Sequence, residues 1–266
     1  MKFKSIFLSF VLLMAITTSA QTPKSGKAAG WLNTSVGFNM VDCYDNGTIP
    51  YAYWGAGANL SLGGTVEWRR CHIQLEERLF VNGFSDLTGF AATTDTRLEF
   101  LYRLYDNHRN NFHLWLGGDI QSYMDLKEIS ELMNASMGFS LFGNLCLTSM
   151  VQFDFASIKG GTHKLLTAHG KLTLPLAGIA IRPGFAYMDN YTSDLNLLNV
   201  LLSDYELFPK AFPGVSTDVG LTFNLLNGNR IGLNYRWDYL STGHKGAYRF
   251  DNALHSINLN FMFKLN

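Results

Sequence analysis

Residues 52–68, AYWGAGANLSLGGTVEW, alternate between two kinds of side chain along their whole length. Apolar residues such as Trp54, Leu60 and Trp68 occupy the even positions, and polar residues or glycine occupy most of the odd positions. Successive side chains of a β-strand point to opposite faces, whereas the faces of a helix repeat about every 3.6 residues. This segment therefore predicts a long β-strand with one apolar face and one polar face.

The same two-residue period recurs along most of the chain and predicts about twelve strands. An even number of antiparallel strands is typical of single-chain bacterial membrane barrels. We place the strands at 31–41, 51–68, 72–84, 95–105, 111–123, 133–143, 145–157, 164–174, 178–189, 214–225, 230–241 and 253–264.

The predicted connections alternate in length along the chain. Short turns, among them Arg69–Cys71, Gly143–Asn144 and Pro175–Gly178, follow the even-numbered strands. Longer segments, the longest at 190–213, follow the odd-numbered strands. Outer-membrane barrels have short turns at the periplasmic rim and long loops at the outer rim. The pattern therefore predicts that both chain ends are periplasmic.

Composition and charge exclude several classes of protein. Charged residues make up only 16% of the 266 positions, and 21 basic residues balance 21 acidic ones, which argues against a nucleic-acid partner. The longest apolar stretches fall short of the roughly 18 to 20 residues that a membrane helix needs. In a tilted strand Trp54 and Trp68 would lie about 35 Å apart along the membrane normal, which suits two interfacial aromatic girdles. We expect an all-β, closed antiparallel up-and-down transmembrane β-barrel.

The N-terminus has the features of an export signal. Lys2 and Lys4 precede the apolar run 6–16, and small residues lead to Ala20. This order of charge, apolar core and small residues is typical of a secretory signal peptide. We predict a signal peptide at 1–20 and a single barrel domain at 21–266.

The apolar face of the last predicted strand carries His255, Ile257, Leu259, Phe261 and Phe263. This strand resembles the terminal segment of bacterial outer-membrane β-barrel proteins, and the whole mature chain is similar to them in architecture. The strand departs from that pattern because it ends in Lys264, Leu265 and Asn266 instead of an aromatic residue. The resemblance implies a position in the cell outer membrane, contact with outer-membrane lipid and lipopolysaccharide, and insertion by the barrel assembly machinery. The Ser-Ala-Gln sequence at 19–21 is similar to exported proteins of Bacteroidota.

If the apolar faces meet lipid, the charged faces line the lumen. One hypothesis is a porin-like, water-filled channel for passive diffusion of small polar solutes. The other is a salt-bridged core that closes the lumen, in a structural or assembly subunit of an envelope or secretion complex. The predicted lumen-lining charges are Glu67, Arg69, Glu76, Arg78, Arg97, Glu99, Arg103, Asp119, Asp154, Lys171, Arg182, Asp218, Arg236 and Asp238.

The loop 190–213 is unusually apolar, and Ser193 or Asp194 could cap a short helix within it. Such a helix should not stand in water. It could pack against other loops, limit the barrel opening, or contact a partner or hydrophobic ligand. Its candidate gating or partner residues are Leu198, Leu201, Leu202, Tyr205 and Phe208.

Two residues depart from the simple pattern. Glu77 falls on the face expected to meet lipid, and Pro183 falls inside a predicted strand. A carboxylate in lipid and a missing backbone donor in a sheet are both unfavourable. We expect a β-bulge at each position, with a partner-protein contact as the alternative for Glu77.

The sequence has little sign of catalysis. It contains no His-x-Ser, the arrangement of base and nucleophile in outer-membrane phospholipases, and no Asp-x-Asp pair of the omptin type. Cys43, Cys71 and Cys146 lie in separate segments and suggest neither a disulfide framework nor a metal site. We expect no catalytic residues, metal or cofactor, and a lipid-modifying barrel enzyme is the third hypothesis.

Overall fold

The computed structural model describes residues 28–46, 49–85, 87–107, 111–131, 137–157, 164–181, 205–208, 214–242 and 249–265. The predicted signal peptide at 1–20 and the predicted bulge at Pro183 lie outside these residues. Within the described ranges, no helix is long and apolar enough to cross a membrane.

Long strands account for most of the described chain, and each pairs antiparallel with its neighbours. Many exceed 15 residues, longer than the usual strand of a soluble domain. The strands are β1 (Ala29–Asp45), β2 (Ile49–Trp68), β3 (Cys71–Phe84), β4 (Gly89–Asn107), β5 (Phe112–Ile129), β6 (Met137–Ser157), β7 (Lys164–Ile181), β8 (Tyr205–Phe208), β9 (Gly214–Asn224), β10 (Arg230–Ser241) and β11 (Phe250–Leu265).

Ten of these strands close into a ring. Neighbours follow the chain from β1 to β7 and then through β9, β10 and β11, and β11 pairs back with β1. The short strand β8 pairs with Gly178–Ile181 of β7, beyond the stretch that pairs with β9. The all-β, closed up-and-down barrel is confirmed, whereas the strand number of about twelve is wrong.

The extra strands came from two turns that the structure does not contain. Gly143 and Asn144 lie inside β6, where Asn144 pairs with Gln121 on one side and Gly178 on the other. The segment Pro175–Gly178 lies inside β7, where Leu176 is an extra residue between the partners of Cys146 and Leu145. This β-bulge reverses the alternation of the strand, and proline is tolerated at such a site because it lacks a backbone donor.

The two ends of the barrel differ in their connections. The terminal end holds Gly30 paired with Leu265, together with the segments 69–70, 108–111, 158–163 and 225–229. The loop end holds the longest connection, 182–213, which contains β8. The prediction that short connections lie at one end and long ones at the other holds only in part. The loop-end segments 46–48 and 85–88 are as short as the turns at the terminal end.

Polarity is inverted relative to a soluble protein. Large apolar side chains point outward and are exposed, for example Leu60 at 58% and Phe38 at 55%. Buried side chains are mostly polar or charged, for example Asn39 and Arg236. The alternation at 52–68 therefore has the predicted orientation, with Trp54 and Trp68 on the outer face.

The predicted bulge at Glu77 is wrong. Glu77 lies opposite Leu62 and Thr96, and the register runs without a shift through both neighbouring strands. Its carboxylate therefore stays on the outer face, where it accepts a hydrogen bond from the Thr96 hydroxyl.

The predicted loop helix is also not supported. Tyr205 and Phe208 belong to the strand β8. Ser193, Asp194, Leu198, Leu201 and Leu202 lie outside the described residues.

The close packing of β2 against β3 gives a test of the fold. A Cβ atom on Gly57 would lie 1.8 Å from the Val81 carbonyl oxygen, whereas a Cβ on Gly83 of β3 would meet nothing within 4 Å. We expect Gly57→Ala to lower the free energy of unfolding by about 3 kcal/mol, since the obstructing atom is backbone. Gly83→Ala should change it by less than about 1 kcal/mol. Urea unfolding of the protein refolded in detergent measures both, and equal midpoints would contradict the β2–β3 geometry.

Candidate functional site in the barrel interior

The structure places most of the predicted lumen charges inside the ring. Arg69 is the exception, because it occupies the turn between β2 and β3 with a φ of 54° and its guanidinium lies over the Trp68 ring. Arg182 lies outside the described residues. The inward-facing residues are Glu67, Glu76, Arg78, Arg97, Glu99, Arg103, Asp119, Asp154, Lys171, Asp218, Arg236 and Asp238.

Several interior charges were missed by the sequence analysis. Asp45, Asp125 and Lys127 fell in segments predicted as loops, but the strands extend through them. Asp95 was within a predicted strand but was not assigned to the lumen. The alternation contained the signal, because Asp125 and Lys127 share the parity of Asp119 in β5.

Four of these side chains form a central ion layer: Asp95 and Arg97 on β4 and Arg236 and Asp238 on β10. β4 and β10 lie opposite each other in the ring, five strands apart in either direction. Arg97 contacts Asp95 at 3.0 Å and Asp238 at 2.9 Å. Arg236 contacts the same two carboxylates at 3.4 Å and 2.7 Å. The layer thus bridges the full width of the lumen.

Burial makes these contacts strong. Arg236 is 1% exposed and Asp95 is 2% exposed, so solvent screens their attraction only weakly. Neutral side chains add hydrogen bonds to the layer: Gln121 donates to Asp95 at 2.9 Å, and the Ser216 hydroxyl accepts from Arg97 at 3.2 Å. A buried charge is tolerable when it is both paired and hydrogen-bonded.

An apolar cap fills the interior at the loop end. We define it as the cluster of Val41, Cys43, Tyr53, Phe80, Tyr123, Ile129, Phe142, Ala180, Phe250 and Leu254. The Phe142 and Phe250 rings lie 5.0 Å apart, and Asn252 of β11 donates to the hydroxyl of Tyr123 on the opposite strand β5 at 2.5 Å.

One buried cation lies within the cap. The Lys127 ammonium contacts Asp125 at 2.7 Å and Asp45 at 3.2 Å, and it lies 4.7 Å from the centre of the Phe250 ring. Its contact with Asp45 connects β5 to β1 across the lumen. Between the cap and the central ion layer lies a cavity of about 30 Å³, lined by residues such as Arg97 and Tyr123. That volume is on the scale of a single water molecule.

The terminal half of the interior is open by contrast. A vestibule of about 550 Å³ extends from Arg78 and Asp218 to the terminal end, where Leu225 and Gly228 line its rim. One wall carries long or charged side chains from β3, β4, β5 and β7. The facing wall carries shorter ones, among them Asn33, Ser61, Thr222, Asn234 and Asn260.

Histidines of the vestibule are paired with carboxylates. His113 contacts Asp106 at 2.8 Å and Asp154 at 3.2 Å, and His169 contacts Asp218 at 3.2 Å. In the described part of the chain, no cluster of three or more His, Cys, Asp or Glu side chains could hold a metal ion. Cys43, Cys71 and Cys146 are free thiols.

The outer face carries one histidine–tyrosine pair. The hydroxyl of Tyr235 and Nδ1 of His255 lie 2.7 Å apart on the exposed surface. The cross-strand partners of His255 are Met40 and Trp237, and neither of these is a nucleophile.

Comparison with known proteins gives similarity of general shape. No protein-family model matches the chain, and no curated protein matches its sequence. Among solved structures, neisserial surface protein A is 9% identical with a TM-score of 0.36, covering 86% of this chain and 95% of its own. The translocator domain of the autotransporter NalP from Neisseria meningitidis is 10% identical with a TM-score of 0.39, covering 98% and 95%. An outer-membrane channel from Pseudomonas putida F1 is 10% identical with a TM-score of 0.30, covering 93% and 100%. Similarity at this level does not bear on function.

The central ion layer yields a stability prediction. Arg236→Met should lower the free energy of unfolding by about 3–5 kcal/mol, because it leaves Asp95 and Asp238 with a single cation in a buried site. Arg249→Met is the matched control, since Arg249 pairs with Asp251 at the exposed loop end and should change stability little. Urea unfolding monitored by tryptophan fluorescence compares the two, and an Arg236 variant as stable as the control would refute the bridging role.

Proposed function

We propose that the chain is an outer-membrane β-barrel whose interior is closed across the middle, and that it serves as a structural or assembly component of the cell envelope. The central ion layer carries the closure, since its four side chains connect opposite walls. The apolar cap provides a second barrier toward the loop end.

The outer surface supports the membrane assignment. Exposed apolar side chains surround the ring on every long strand, for example Leu98, Ile120 and Leu233. An apolar surface of this extent is unfavourable in water and suits lipid. Trp54 and Trp68 flank this band at positions typical of the two interfacial girdles.

Glu77 supports a role in assembly. It lies about midway along β3 on the apolar outer face, and its described hydrogen bond comes from Thr96 of the same barrel. A carboxylate facing lipid is unfavourable, and contact with a membrane partner would remove it from lipid.

A channel for small polar solutes is the second candidate, and the vestibule favours it. Half of the lumen is already an open polar cavity, so displacement of the central ion layer and the apolar cap would complete a passage. Passive diffusion of small solutes through the barrel requires that the native protein displace both the central ion layer and the apolar cap.

The membrane assignment predicts an effect of charge on the outer face. Leu60 lies near the middle of the apolar band and is 58% exposed. Leu60→Arg should make insertion into lipid vesicles less favourable by about 2–4 kcal/mol. Leu226→Arg is the control, because Leu226 lies in the β9–β10 turn at the terminal end and should not affect insertion. Equal insertion of both variants, measured by protease protection, would exclude this lipid-facing belt.

Recording in planar bilayers tests the closed lumen. The refolded wild-type protein should show no steady conductance, because the central ion layer and the apolar cap block the interior. A variant combining Arg97→Ser and Arg236→Ser with Phe80→Ser should conduct, since it removes side chains from both barriers. Circular dichroism establishes that the variant is folded. Steady conductance of the wild-type protein would refute the closed barrel and support the channel.

A further inference from the structure

The charged side chains of the vestibule wall are already paired with one another. Lys171 contacts Glu99 at 2.9 Å, Arg78 contacts Glu76 at 2.6 Å, and nearer the rim Arg230 contacts Glu67 at 3.1 Å. An ionic ligand would have to break one of these pairs to bind. The wall therefore disfavours a ligand recognised by its charge.

The same wall nevertheless contains buried polar atoms that make no hydrogen bond within the described part of the chain. Arg78 Nη1, Arg103 Nε and Trp115 Nε1 are buried donors without a hydrogen-bond partner among the described residues. Glu99 Oε1 is a buried acceptor in the same situation. Trp115 is 2% exposed, Glu99 4% and Arg78 7%, so these are built into the wall and are not surface groups. Unpaired buried polar atoms are unfavourable and are commonly satisfied by a bound group.

Three of the four unpaired atoms belong to one continuous group of side chains. The Arg103 guanidinium lies 4.4 Å from the centre of the Trp115 ring, and the His72 ring lies 5.9 Å from it. Nε2 of His72 is 3.7 Å from Glu99 Oε1. Donors and an acceptor thus lie along one wall formed by β3, β4 and β5.

We propose that the vestibule binds a small neutral polyhydroxylated solute, of the size of a mono- or disaccharide. A hydroxyl group both donates and accepts, so one such molecule can satisfy Trp115 Nε1 and Glu99 Oε1 together without disturbing an ion pair. The volume of about 550 Å³ falls within the range of small-molecule sites. The short polar side chains of the facing wall, such as Asn33 and Asn260, supply further donors and acceptors.

Indole nuclear magnetic resonance of the full-length protein in detergent micelles tests this site. The Trp115 Nε1–H signal is identified by its loss in Trp115→Phe. Glucose and sucrose are the probes, and sodium acetate and glycine represent ionic and zwitterionic solutes. We expect at least one of the two sugars to shift the signal saturably and the other two solutes to leave it unchanged. The absence of a saturable shift with either sugar, or an equal shift with acetate or glycine, would overturn the proposal.

A matched pair of variants locates the contact. Glu99→Gln should weaken sugar binding by about fivefold or more, because the change replaces a charged acceptor with a neutral amide. Glu128→Gln, on the exposed outer face of β5, should leave the affinity unchanged. If Glu99→Gln does not fold, Trp115→Phe takes its place with calorimetry as the readout and the same expected loss. Unchanged affinity in the folded variant would overturn the proposal. Binding does not depend on the closed lumen, so the conductance result stands separately.

Discussion

The width of the ring is the constraint on which the rest of the structure depends. With a strand spacing of about 4.8 Å and a tilt near 40°, ten strands close at a radius of about 10 Å. At this width long side chains on opposite walls meet near the axis, which is how Arg97 on β4 reaches Asp238 on β10. Where the side chains on one wall are short, as at Asn234 and Asn260, the same ring leaves the vestibule. Side-chain length along each strand therefore decides whether a given level of the barrel is filled or open.

Alternation of side chains made the fold predictable, and the errors occurred at turn-forming residues and at a β-bulge. In β6 the inward parity continues through Gly143 and Asn144, so the sequence held evidence for one long strand that the presence of two turn-forming residues obscured. In β7 the parity does change at Leu176, and a β-bulge and a turn produce the same change in a sequence. The strand number was wrong because turn-forming residues and a bulge were both taken as strand ends.

The candidate site was predictable in part for the same reason. Parity alone assigns Arg97, Asp218 and Arg236 to the interior, and the structure places them there. It does not specify which strands lie opposite each other, because that depends on the number of strands and on the closure of β1 with β11. The pairing of Arg236 with Asp95, which are 141 residues apart, was therefore beyond reach of local patterns. The apolar cap was not predicted. An inward Phe, such as Phe80 or Phe142, departs from the polar pattern of the inner face, and only the fold shows that several such residues pack together.

The interior charges also help to select the register of the strands. A slip of β4 by one residue would move Asp95, Arg97 and Glu99 together from the interior to the lipid face, because side chains alternate strictly. Charged residues facing lipid are energetically unfavourable. The charged interior of this barrel therefore disfavours such a slip more strongly than an apolar interior would. Glu77 gives the scale of the effect, since a single carboxylate on that face is accommodated with a hydrogen bond from Thr96. Three charges on one strand would need three such partners, and outward residues of the neighbouring strands, such as Leu79 on β3 and Ile120 on β5, have none to offer. The central ion layer thus helps to select the native strand register as well as bridging the interior of the barrel.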